Sequence, residues 1–218
     1  MDIHPPEGPV HSFKDFLFHL LTVTIGILIA LSLEGLLEWH HHRALVQEAR
    51  INLASEIREN RQHLEKGLTS APDAERRLNA TMKAIDTYRK SRNYGATDFN
   101  WDFGIFPLNA TAWRTAASTG ALSYMDYSEV QRYTRVYALQ EEFLSLQQRT
   151  LERWLDLQKW IGRMNPEDGL SKLNSEQLSE IEDEASAALI HTQTEESIAR
   201  SLVALAKMRS GSVSRITS

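Results

Sequence analysis

The segment Phe16–Leu33 runs FLFHLLTVTIGILIALSL without a single Lys, Arg, Asp or Glu, although charged residues make up 24% of the whole chain. A helix rises about 1.5 Å per residue, so these residues reach roughly 27 Å, close to the hydrocarbon thickness of a bilayer. Twelve of the eighteen are Leu, Ile, Val or Phe. At about −0.3 to −0.6 kcal/mol each they favour insertion by roughly −4 to −7 kcal/mol, before His19, Thr22, Thr24 and Ser32 are set against them. A cleavable signal peptide has a shorter apolar region, about 7–15 residues, ending at a small-x-small site. Here Glu34-Gly35-Leu36-Leu37-Glu38-Trp39 follows, a poor cleavage context. The sequence therefore predicts a retained transmembrane helix, with Trp39 at one interface and Phe13 and Lys14 at the other.

Within that helix Gly26 and Ala30 form a small-xxx-small pair that lets two membrane helices approach closely. His19 and Glu34 are expensive in lipid and are expected to face a partner helix or to snorkel. These four residues are the candidate helix–helix contacts.

Of the 218 residues, about 180 lie beyond the tail and the span, enough for one domain with a real core. A net charge of −5 supplies no global basic field for nucleic acid, and no zinc finger or phosphate-binding glycine loop is present. There is no cysteine, which removes disulfides and thiolate metal sites. Lys14 stands alone against Asp2, Glu7 and Asp15 before the span, with Arg43, Arg50 and Arg58 after it. Lys and Arg alone thus lean weakly towards a cytoplasmic C-terminal side.

Beyond the membrane, Leu45, Ala49, Leu53, Ile57, Leu64 and Leu68 recur at amphipathic-helix spacing. One long helix is expected to leave the bilayer and continue to about Thr69, with Gly35 as a potential hinge. Ser70-Ala-Pro-Asp73 predicts a new helix, capped by Ser70 and running to about Arg92. Residues 109–119 read as a short helix ended by Gly120. Asp126-x-x-Glu129 reads as a capping box opening a helix over 126–164, apolar on two faces and so expected to be central. Asn174-x-x-Gln177 opens a last helix over 175–209. The fold class is all-α: an N-terminal transmembrane helix continuing into an antiparallel bundle of about four main helices. The expected divisions are a tail over 1–12, a membrane helix over 13–38, a bundle over 39–209 and a C-terminal tail over 210–218.

Ile3-His4-Pro5-Pro6, His11, Phe16 and Gly26-Ile-Leu-Ile-Ala-Leu31 followed by Glu34 resemble a group of uncharacterised bacterial single-span proteins. These have a short His/Pro tail and a helical soluble domain. Thr111-Ala-Trp113 and Thr119-Gly120-Ala-Leu122 are similar to a second recurrent block of the group. The resemblance implies the bacterial inner membrane, a cytoplasmic N-terminus and a periplasmic domain. It implies no activity, and relatives usually have a more basic tail than this one.

Glu38 and His42 are an i, i+4 pair able to share a metal, but three consecutive histidines cannot point one way and no further ligand follows at firm spacing. No nucleophile elbow or paired-acid motif organises the remaining polar residues. The expectation is therefore no catalytic residue, no metal and no cofactor. The aromatic loop with Phe99, Trp101, Phe103 and Phe106, together with Trp113, is a candidate interaction surface or the cap of a bundle core. The reading that follows is a non-enzymatic, membrane-anchored scaffold or interaction module, whose partners are the bilayer and an envelope protein or a second copy. The alternative is a ligand-sensing helical domain that signals through a membrane partner, and a metal enzyme using Glu38 and His42 is a weaker third.

Overall fold

The structure, a computed structural model, describes residues 13–93, 104–161 and 169–213. Four α-helices account for most of them: α1 (Phe13–Ser91), α2 (Thr111–Ser118), α3 (Tyr127–Ile161) and α4 (Ser175–Val213). Short 3-10 turns follow α2, at Ala121–Tyr124, and precede α4, at Gly169–Lys172. No strand occurs among the described residues. The chain divides into two compact units, Met1–Glu48 and Ala49–Ser218.

The described part of the first unit is helical, and the residues of its apolar window are exposed. Thr22, Thr24 and Ser32 donate their hydroxyls to the carbonyls of Phe18, Leu20 and Leu28, four residues back. Polar groups satisfied within their own helix are what a hydrocarbon environment demands.

In the second unit Ala49, Leu53, Ile57, Leu64, Leu78, Ile85 and Tyr88 line the buried stripe of α1. The stripe does not break at Ser70: α1 passes through Pro72 to Ser91. Proline removes one backbone donor and normally ends a helix. Here Thr69 and Ser70 turn their hydroxyls back to the carbonyls of Lys66 and Gly67. Leu64 on one side and Leu78 on the other are each anchored in a core cluster. Packing on both flanks outweighs the local preference, so Ser70 is not a cap and the two expected helices are one.

The direction of packing also departs from successive antiparallel neighbours. Arg50 meets Glu129, Glu56 meets Tyr137 and Asn60 meets Gln140, so α1 and α3 rise together. Partners on α4 descend instead: Glu65 meets Lys207 and Arg89 meets Glu182. The long stretch between α1 and α3 lets two consecutive long helices run the same way.

Gly120 adopts the left-handed conformation beyond α2, with φ 77°, as expected of a glycine at that place. Asn174 and Gln177 bond reciprocally, Gln177 N–H to Asn174 Oδ1 at 2.8 Å and Asn174 N–H to Gln177 Oε1 at 3.0 Å. The corresponding pair at α3 does not close this way. Arg50 takes the Glu129 carboxylate with two nitrogens, at 3.0 and 2.7 Å, because a bidentate charged pair outcompetes a capping bond.

Two apolar clusters of the core lie among the described residues. One gathers Leu78, Ile85, Trp154, Leu157, Trp160 and Ile181 among others. The other gathers Leu64, Phe106, Phe143, Ala199, Leu202 and Val203. The segment 104–110 crosses beside the second cluster without a strand to pair with, so its backbone groups need other partners. Side-chain amides provide them. Gln147 accepts from Phe106 N–H at 2.6 Å and donates to Phe106 O at 3.3 Å. Asn60 accepts from Asn109 N–H at 2.9 Å, and both Asn60 and Gln140 donate to Asn109 O. His63 Nδ1 donates to Pro107 O.

One carboxylate completes this polar layer. Glu56 is buried and accepts from Tyr137 Oη at 2.7 Å and from Ala112 N–H at 2.8 Å. Tyr137→Phe keeps the ring but leaves one buried carboxylate oxygen without its donor. The expected cost is about 1.5–3 kcal/mol in chemical denaturation, the usual worth of a hydrogen bond to a charged group. An unchanged midpoint would show that the contact does not contribute.

Candidate functional site

The candidate helix–helix contacts are all exposed in the first unit. Gly26 has nothing within 4 Å of the position its Cβ would take. His19, Ala30 and Glu34 are likewise solvent-accessible along the helix. After the apolar run, Trp39 packs edge-on against His40 at 5.2 Å, and the Arg43 guanidinium lies 5.3 Å from the Trp39 ring centre. A ring with an apolar body and a cation on its face suits a membrane–water boundary. The His41 and His42 rings stand 6.0 Å apart and tilted. Among the described residues no group of three or more His, Cys, Asp or Glu side chains is placed to hold a metal ion.

Phe99, Trp101 and Phe103 lie outside the described residues. Phe106 and Trp113 are described, and both are taken up by packing. Phe106 is 8% exposed and meets Phe143 edge-to-face at 5.4 Å. Trp113 stacks on Tyr137 at 5.1 Å and 14°. The two rings thus fix the crossing segment and α2 to α1 and α3, the role of a core cap.

A different site emerges where the two apolar clusters fail to meet. A cavity of about 200 Å³ opens there, lined by Gly67, Ala71 and Ala74 of α1, by Phe106, and by Thr192 and Glu195 of α4. On α1, residues 67, 71 and 74 continue the register of Leu64 and Leu78 but carry almost no side chain. On α4, Glu195 stands seven residues from both Ala188 and Leu202, at a position that elsewhere is core. Small residues on one wall and a carboxyl on the other leave the space open.

Glu195 is 2% exposed. Its Oε1 has no hydrogen-bond partner among the described residues. Burial pushes its carboxyl up to about 7. The buried hydroxyls of Thr150 and Thr192 nearby are satisfied locally, donating to carbonyls of their own helices at 3.1 and 2.8 Å. The rim carries Asp73, Arg77 and Glu196. Asp73 pairs with Arg76, and Glu196 with Arg200. One turn from Glu195, His191 is held below its ordinary value by burial and by Arg153 and Arg149.

Sequence reasoning passed over this place. Its signal is present: Ile181, Ala188, Glu195 and Leu202 step by seven, and a lone carboxyl in such a column faces the interior. Compared with known proteins, the chain matches no family model, no curated protein and no solved structure.

Proposed function

We propose that this chain is a single-pass membrane protein whose helical domain serves as a non-enzymatic scaffold or interaction module. The observation that carries this reading is the Phe16–Leu33 run, long enough to cross a bilayer and exposed along its length. A core helix of a soluble protein would be mostly buried. Interfacial Trp39 and Arg43, and hydroxyls bonded within the helix, support the same reading. Following the resemblance of the N-terminal motifs, the address is the bacterial inner membrane, with the helical domain in the periplasm. The partner is an envelope protein or a second copy, met in the membrane through the Gly26/Ala30 face.

Two experiments test this. A phosphatase fused to the C-terminus is expected to be active, and an inactive fusion beside an active cytoplasmic reporter would reverse the orientation. Cross-linking in cells is expected to capture a discrete partner in a band that Gly26→Leu with Ala30→Leu abolishes. A chain that stays monomeric and uncaptured would count against the scaffold.

A second reading, ligand sensing, is favoured by the Glu195 cavity. A binding event there would be read out through a partner within the membrane.

A further inference from the structure

We propose that the cavity between the two apolar clusters binds a small organic amine, with Glu195 as the counter-ion of its ammonium group and Ala71, Ala74 and Phe106 as the contact for its hydrocarbon part. The proposal rests on the ligand-sensing reading, and its failure leaves the anchored scaffold untouched.

Size sets the first limit. A water molecule's share of liquid volume is about 30 Å³, so a cavity of about 200 Å³ holds roughly six or seven waters or one short-chain ligand. A drug-sized molecule, which needs a pocket of about 300 Å³ or more, does not fit.

Chemistry sets the second. Glu195 offers a carboxylate oxygen with no partner among the described residues, buried where an unpaired charge is costly. When ionised it is an acceptor only, so the complementary group is a donor, and a cationic donor removes the cost of the charge as well. The rim carboxylates Asp73 and Glu196 already have partners, Arg76 and Arg200, so the charge that a ligand meets is set by Glu195. A carboxylate ligand would meet the buried Glu195 carboxylate unfavourably. A neutral alcohol would leave the charge uncompensated.

Geometry sets the third. The wall opposite Glu195 is built from Gly67, Ser70, Ala71 and Ala74, small residues that leave room, and the Ser70 hydroxyl is already turned back to Gly67 O. The Phe106 ring closes one end and is held by both of its backbone bonds to Gln147. Preformed walls cost little to organise on binding.

The test uses the full chain in detergent at pH 8, with n-butylammonium chloride as the probe. n-Butanol and sodium butyrate serve as controls of equal skeleton. Thermal unfolding is followed by circular dichroism as each is titrated. The ammonium is expected to raise the midpoint saturably, and butanol and butyrate are not. Glu195→Gln, which preserves shape, should weaken ammonium binding at least tenfold, while Glu196→Gln should weaken it less than threefold. Ala71→Leu, which fills the cavity and keeps Glu195, should abolish it. A saturable response of equal strength in Glu195→Gln or Ala71→Leu would overturn the proposal. So would the absence of any saturable response in the wild-type chain, or an equal response to butanol.

Discussion

Phe106→Ala lowers the stability of the helical domain by about 3–5 kcal/mol, the range for removing a buried aromatic ring from a packed core. Three features place it there. The ring is 8% exposed and part of the cluster with Leu64, Phe143 and Leu202. It meets Phe143 edge-to-face. It also lies against Gly67 so closely that an added Cβ would clash with its Cε1. Glycine inside a helix ordinarily costs about 1 kcal/mol relative to alanine, so Gly67→Ala at an open site would stabilise α1. Here the sign reverses, because the new methyl group displaces a ring that is backed by the core. The expected loss is about 1–3 kcal/mol. Combined with Phe106→Ala, Gly67→Ala recovers its usual stabilising sign, since the obstructing ring is gone. A thermodynamic cycle should therefore show coupling of about 2–4 kcal/mol between the two sites, the loss of about 1–3 kcal/mol plus the recovered gain of about 1 kcal/mol. Simple additivity would mean that Phe106 does not rest on Gly67.

Glu195→Gln changes how stability depends on pH. The folded-state carboxyl lies at about 7 against an ordinary 4.5. Below pH 4.5 the group is protonated in both states and contributes nothing. Between 4.5 and 7 the unfolded chain has released this proton while the folded chain still holds it, so stability falls as pH rises. Above 7 the full penalty is present, about 3 kcal/mol for a shift of this size. His191 acts in the opposite sense: held below 6.5 by burial, Arg153 and Arg149, it makes stability rise with pH up to that point. The difference between wild type and Glu195→Gln cancels the histidine. That difference should grow between pH 5 and 8 to about 3 kcal/mol in favour of the glutamine variant. A constant difference would mean that Glu195 is solvated in the folded protein.

Much of the helical frame is legible in the sequence because its signals are local. The Asn174/Gln177 cap, the left-handed Gly120 and the apolar run each depend on a few neighbouring residues. Two errors come from signals that distant packing overrides. Ser70-Ala-Pro-Asp73 has every mark of a helix start, yet anchoring at Leu64 and Leu78 carries α1 through it. Asp126 and Glu129 have the spacing of a capping box, but Arg50, 79 residues away, claims the glutamate. The polar layer was hidden for a related reason. Asn60, Gln140 and Gln147 occupy core positions as polar residues, and an apolar periodicity search discards them. Only the crossing segment 104–110, whose backbone they satisfy, explains their burial. Glu195 was hidden in the same way: it is one carboxyl in an otherwise apolar heptad column, facing small residues on another helix.

Every functional reading above depends on one claim, that Phe16–Leu33 is a retained membrane anchor joined to the helical domain. Alkaline carbonate extraction of membranes, followed by peptide mapping of the recovered protein, tests it directly. The account predicts that the domain stays in the membrane pellet and that peptides spanning Phe16–Leu33 are recovered from it. Recovery of the domain in the supernatant, cut between Leu33 and Ala49, would contradict it.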